Sequence, residues 1–328
     1  VETILKILET PGVVSVAEFA DGEVLLREFD VPENAPIAGK SIQDIRSITQ
    51  MDSFLIVAIV RDGELVIPKD QDVIQAGDRF YTLVDKEFLP FLLPMLNRTL
   101  DQVEKIIIYG ATSTSIELAM ALEEEMRDVC IIEPSRDKAH RAADKLKRTV
   151  VQHGSGTDMD LFNEINMKDA DFFLALSHDD ENNILSALLA KKYGAKRALV
   201  ITHDPEYLPI LDSIGMDITI NPRLITVSGI LKHLRKGRVM SVFKLIEDAE
   251  VMEIGIDEDS SIVNKKISKI KFPKDAMIGA LLRKGEMLLP DDEVTLEAGD
   301  SVIVVALPGT IEKIENLFGR KRSFLPFR

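Results

Sequence analysis

The stretch KIIIYGATSTSIELAMALEEEMRDVCIIEPSRDKAHRAADKLKRTVVQHG (105–154) decides the fold. Three short apolar runs, KIIIYG (105–110), DVCIIE (128–133) and RTVVQHG (148–154), are separated by helical patterns at 115–126 and 135–147. Short β-branched runs alternating with helices predict parallel βαβ units. The pattern continues downstream. ADFFLALS (170–177) and RALVITH (197–203) read as strands four and five, with helical patterns at 158–167, 181–193 and 205–214. Five such strands predict a doubly wound sheet with its ligand crevice beyond the strands' carboxyl ends.

On either side of this block the chain repeats itself. GELVIPKDQDVIQAGD (63–78) returns as GEMLLPDDEVTLEAGD (285–300), 222 residues later, with seven of sixteen positions identical. Strand-like runs precede each copy (54–60; 276–282) and follow it (79–85; 301–307). Strand, Gly turn, short strand, AGD turn, strand is a small β-rich module. Upstream, 15–31 parallels 241–257, and the helical TILKIL (3–8) parallels SGILKHL (228–234). Three segments are expected: 1–98, a β-rich lobe preceded by the tail of a helix; 99–222, the α/β lobe; and 223–328, a helix and a second β-rich lobe. A period of 222 residues equals one α/β lobe plus one β module, so the spacing reads as a tandem lacking its first α/β lobe.

Composition excludes several classes. The formal net charge is −15, with 40 Lys and Arg against 55 Asp and Glu. That disfavours nucleic acid, whose binding depends on cations neutralising phosphates. The longest apolar run, Phe88–Leu96, is interrupted by Pro90 and Pro94 and falls far short of the roughly 20 residues that span a bilayer. The opening VETILKILET lacks the pattern of a signal peptide. A single cysteine, Cys130, makes neither an internal disulfide nor a zinc cluster. The chain reads as cytoplasmic and takes no metal. Five histidines (140, 153, 178, 203, 233) show neither metal-ligand spacing nor a catalytic order, and Asp291 and Asp292 read as solvent-facing.

Residues 154–223, above all ADFFLALSHDDENNILSALLAKKYGA (170–195) and GMDITINPR (215–223), together with the flanking AGD turns, resemble the TrkA family. These are regulators of Trk potassium uptake built from RCK domains (regulators of potassium conductance). The resemblance implies a Rossmann-like doubly wound parallel sheet, the TrkA-N lobe, flanked by two small α+β TrkA-C lobes. It also implies NAD(H) or ATP/ADP as ligand, homo-oligomers that are dimers or rings, a separate TrkH-like potassium-translocating membrane protein as partner, and a peripheral place for this chain on the inner face of the cell membrane. Lobes similar to the β modules take cyclic di-AMP, but nothing in these residues marks such a pocket.

The nucleotide site is eroded. A dinucleotide loop places G-x-G-x-x-G after the first strand, where glycine lets the pyrophosphate approach the backbone. Here those positions are Gly110, Thr112 and Ser115, within Gly110-Ala111-Thr112-Ser113-Thr114-Ser115. The helix N-terminus still offers N–H groups to an anion, and the hydroxyls of Thr112, Ser113 and Thr114 add donors. The same side chains are good helix N-caps, and capping takes precedence in this reading. Glu133 ends strand two, 23 residues after Gly110, near the spacing of about 20 for the acid that binds an adenosine ribose. Arg136 is placed to cover an adenine or reach a phosphate. In the turn Gly154-Ser155, serine stands where the resemblance leads one to expect Asp, and Ser177 holds the position of a crevice Thr. Asp179, Asp180 and Glu181 read as dipole partners of the next helix.

The function expected is that of a non-catalytic regulatory subunit gating a membrane pore through RCK assembly, in which this lobe binds nucleotide weakly or not at all. A nucleotide-independent scaffold and, further off, an NAD-dependent oxidoreductase are the alternatives. Val227, Ile230, Leu231 and Leu234 form an apolar stripe on the helix entering the last lobe, which the resemblance makes a swapped dimer contact.

Overall fold

A computed structural model describes residues 1–9, 13–49, 54–98, 103–227, 239–245 and 249–319. After helix α1 (Glu2–Glu9), the first β-rich lobe runs β1 (Val13–Phe19), β2 (Val24–Asp30), α2 (Ile42–Thr49), β3 (Phe54–Arg61), β4 (Glu64–Val66), β5 (Arg79–Asp85) and α3 (Leu89–Leu92). The α/β segment follows: β6 (Lys105–Tyr109), α4 (Ser113–Glu124), β7 (Asp128–Glu133), α5 (Arg136–Ala143), β8 (Val150–His153) and α6 (Met159–Glu164). It continues with β9 (Phe172–Ala175), α7 (Asp180–Lys192), β10 (Arg197–Ile201), α8 (Leu208–Ser213) and β11 (Ile218–Ile220). The second β-rich lobe holds β12 (Val239–Lys244), β13 (Glu250–Gly255), β14 (Ala276–Arg283), β15 (Glu286–Leu288), β16 (Ser301–Ala306) and α9 (Ile311–Phe318).

The α/β sheet has the order β11-β10-β9-β6-β7-β8, with every pair parallel. This is the doubly wound arrangement expected from the alternation. The sixth strand, β11, went unread because three residues are too few to show a period. Ile106, Ile107 and Ile108 are wholly buried, which explains an apolar run with no polar alternation. Thr112 caps α4 by accepting the N–H of Ser115, and Leu118, Ala119 and Leu122 form its buried stripe. Helix 222–227 begins the path toward the second lobe and leaves Val227 partly exposed. Ile230, Leu231 and Leu234, like the expected helix 228–234, lie outside the described residues.

The two β-rich lobes repeat one topology, β1-β2-β5-β3-β4 and β12-β13-β16-β14-β15. The repeated turn has a chemical reason. Arg61 Nε and Nη2 donate to the two carboxylate oxygens of Asp78 at 2.8 and 2.7 Å, and Nη2 also donates to the Val73 carbonyl. Arg283 repeats the fork on Asp300 at 2.9 and 2.8 Å and donates to the Thr295 carbonyl. Both aspartates are buried, and each accepts one further backbone N–H, from Gln75 or Glu297. The hydrogen bonds of the ionised acid and the two-pronged geometry close the turn. Upstream the register differs by one from the match of 15–31 with 241–257. Val31 N–H meets the Asp78 carbonyl as Ile256 N–H meets that of Asp300, so Glu28 is equivalent to Glu253 and not to Ile254.

The chain divides into two compact units, Val1–Val14 with Asp101–Ile225, and Ser15–Leu100 with Thr226–Arg328. Both β-rich lobes thus belong to one unit, and a single core joins them. Leu26, Val57, Ala58, Tyr81 and Leu83 of the first lobe pack with Val251, Ala280, Leu282, Ile303 and Val305 of the second. Burying such a side chain contributes about 1.5–3 kcal/mol. A second core, of the second lobe alone, lies under α9 with Ile254, Ile278, Val304 and Phe318.

Candidate functional site

In the α/β unit the chain leaves neighbouring strands β6 and β9 in opposite directions along the sheet, so the ligand crevice of such folds falls beyond their carboxyl ends. Gly110 and Ser177 meet there. Gly110 has φ +94°, and a Cβ on it would stand 2.8 Å from Ser177 Cα and 2.9 Å from Ser177 N. The surviving glycine is therefore required by its neighbour across the sheet, whatever binds above it.

Glu133, at the end of β7, is buried (4% exposed). One carboxylate oxygen accepts the N–H of Ala111 at 2.7 Å, and the other that of Ser135 at 2.8 Å. A ribose-binding acid would aim its oxygens at a diol; here each already accepts an N–H from the chain itself. The Ala111 N–H, immediately after Gly110, lies in the turn that a dinucleotide's pyrophosphate approaches, and a carboxylate already holds it. Thr112 is likewise engaged, its hydroxyl accepting the Ser115 N–H at 3.2 Å and lying 2.9 Å from the buried Ser115 hydroxyl. Ser113 and Thr114 stand in the first turn of α4. These residues do not fit a dinucleotide's pyrophosphate in its usual seat.

The other expected residues are brought to the same edge of the sheet. Gly154 N–H donates to the Glu133 carbonyl at 3.1 Å, and a Cβ on Gly154 would stand 2.6 Å from Leu161 Cδ2. The Ser155 hydroxyl accepts the Thr157 N–H at 3.2 Å, forming a local turn, and Asp158 caps α6. The Ser177 hydroxyl lies 2.6 Å from Asn183 Oδ1, whose amide group also accepts the Ser177 N–H and donates to the carbonyls of Ser177 and Ile201. Arg136 is exposed at the first position of α5. Tyr109 sits under the loop, tight against Gly156. Burial pushes its hydroxyl up, and the charges of Asp179 and Glu133 push it further.

Two groups escaped the sequence reading. Asn183 is wholly buried and staples the β9 and β10 ends together. Asp179 caps α7 through Asn182 N–H, and Asp180, in the first turn of that helix, also reaches the end of β10. One of its oxygens accepts the N–H groups of His203 and Asp204 and the Thr202 hydroxyl, and the other lies 2.9 Å from His203 Nδ1. Burial raises Asp180, but the His203 imidazole and the N–H groups of Asp204 and His203 outweigh it and hold the carboxyl below its ordinary range. An ionised carboxylate only accepts, so His203 Nδ1 carries the proton of that bond. The His178 ring lies 6.1 Å from that of His203. The signal was positional: each histidine stands just past a strand end. Among the described residues no cluster of three or more His, Cys, Asp or Glu is placed to hold a metal, and no helix is long and apolar enough to cross a membrane.

A parallel sheet with a nucleotide-type crevice, accompanied by two copies of one antiparallel lobe, defines a protein of the RCK class. The TrkA-N domain model matches residues 106–222, and the TrkA-C domain model matches 26–87 and again 251–319. The chain is 31% identical over 318 residues to Trk system potassium uptake protein TrkA homolog 1 of Methanosarcina mazei, covering 96% of this chain and 70% of that protein. To TrkA of Azorhizobium caulinodans it is 32% identical over 320 residues, covering 97% and 70%. The chain belongs to the TrkA family of Trk system potassium uptake proteins. Its fold is that of the GsuK RCK domain, with a TM-score of 0.52 at 17% identity, covering 96% of this chain and 68% of that one. The GsuK channel bound to NAD gives 0.51 at 18% identity, covering 95% and 56%.

Proposed function

We propose that the chain is a non-catalytic regulatory subunit of a Trk-type potassium transport system, acting at the cytoplasmic face of the membrane on a TrkH-like potassium-translocating protein. Its α/β lobe binds NAD(H), ATP or ADP weakly or not at all and serves as a scaffold in a homo-oligomer. The Glu133–Ala111 hydrogen bond carries this reading, because the first amide of the phosphate loop is already held by a carboxylate. A ligand shifts a gate only through different affinities for its two states. A lobe without nucleotide affinity therefore transmits a change sensed elsewhere.

Any nucleotide entering this crevice would meet Gly110 to Ser115, Glu133, Arg136, Gly154, Ser155 and Ser177. An oxidoreductase would need its cofactor on the same loop. The Asp180–His203 pair stands at β10, one strand removed from the crevice between β6 and β9. Mass measurement in solution, with and without NADH, NAD, ATP or ADP, tests the proposal. A scaffold gives an oligomer whose mass ignores nucleotide. A monomer, or an oligomer that forms only with nucleotide, overturns it, as does NADH consumption.

A further inference from the structure

The core shared by the two β-rich lobes contains a contact between two copies of one repeat position. Val57 of β3 and Gly279 of β14 stand 222 residues apart, the period of the repeat. Each occupies the irregular step where its strand shifts register against its neighbour, between Ile56 and Ala58 in one lobe and between Ile278 and Ala280 in the other. Val57 is wholly buried. A Cβ placed on Gly279 would lie 2.9 Å from Val57 Cγ1 and 2.5 Å from Leu83 Cδ1. Equivalent residues that touch across a two-fold repeat lie next to its axis, where a symmetric pair would put the same side chain on both sides.

This pair is not symmetric. Gly279 lies outside the left-handed region, so its backbone does not call for glycine. The neighbour calls for it: the hole above Gly279 is filled by Val57 and Leu83 of the other lobe. A second position also differs between the lobes. Glu28 forms an ion pair with Arg79 of its own lobe at 3.4 Å, whereas Glu253, its equivalent, meets Ser301 at Arg79's equivalent position. Glu253 instead accepts the Ala20 N–H from the first lobe at 3.3 Å.

We infer that Val57 and Gly279 form a knob and hole that direct the first lobe to pair with the second and not with another copy of itself. Two second lobes facing each other would leave a void between glycines. Two first lobes would force valine against valine. Because interiors are packed to the density of organic crystals, both mismatches cost stability while the mixed pair fits.

A double-mutant cycle on the whole chain tests this by calorimetry. Val57→Gly opens a cavity and Gly279→Val overfills one, and each is expected to lower the melting temperature of the β-lobe unit by about 2–10 °C. The exchange variant V57G/G279V keeps the composition and turns the knob round, so at least half of the summed loss returns. Losses that simply add overturn the inference. Should Gly279→Val fail to fold, Gly279→Ala with Val57→Ala completes the same cycle, and additivity there overturns it equally. The pairing rule has its own readout: Val57→Cys under a mild oxidant stays free of inter-chain disulfide, whereas a disulfide-linked dimer reveals first lobes paired with each other and refutes the rule.

Discussion

The carboxylate of Glu133 accepts the backbone N–H of Ala111 at 2.7 Å, linking the end of β7 to the loop after β6. The acid and the amide that would divide a nucleotide between them are bound to each other. Removing the carboxylate leaves two part-buried donors, Ala111 N–H and Ser135 N–H, without their acceptor. Glu133→Ala is expected to cost about 1–3 kcal/mol of stability and to speed hydrogen exchange at Ala111. An unchanged Ala111 exchange rate would show that the bond does not form in solution.

Gly110→Ala tests why one glycine of the loop survives. A φ of +94° and a 2.8 Å approach to Ser177 Cα leave no room for a methyl group. Backbone strain and overpacking together predict a loss of roughly 2–5 kcal/mol, visible in thermal melts without any ligand. Wild-type stability in the variant would return the glycine to a purely ligand-binding role.

Acid should release the carboxylate of Glu123. Burial raises Glu123, but the N–H groups of Arg148, Thr149 and Lys147 outweigh it and hold the acid at about 2 against an ordinary 4.5. A lowered folded pKa means stability that is fully present above 4.5 and lost as the pH falls toward 2. Glu123→Gln therefore melts below wild type at neutral pH, by about 1–3 kcal/mol, and the gap closes on acidification. Parallel curves at every pH would contradict the assignment.

Cys130 should be inert in the native chain. It lies in β7, buried, and burial pushes its thiol up to about 12, with Asp128 adding and Lys105 subtracting. A disulfide reagent at mildly alkaline pH is expected to label it only after unfolding; stoichiometric labelling of folded protein would show that β7 opens.

Much of this was legible in the residues. Alternating apolar runs gave the parallel sheet, because strands buried on both faces carry no polar period. The AGD turn marked the duplicated lobe, although Arg61 and Arg283, identical and two residues before the compared window, were needed to explain its aspartate. Thr112 read correctly as a cap, since capping is local chemistry. Glu133 was found by spacing, but its direction was not, because that depends on an amide in the loop after a different strand, β6. The Asp180–His203 pair joins residues 23 apart that meet only when β9 and β10 lie side by side. Gly279 carried only a partial signal: a glycine within a strand announces close approach without saying of what.

The central claim is that this α/β lobe holds its own phosphate loop shut. Titration calorimetry of the whole chain with NADH, NAD, ATP and ADP tests it most directly. The account predicts no saturable heat at micromolar nucleotide. Low-micromolar binding of any of the four would contradict it.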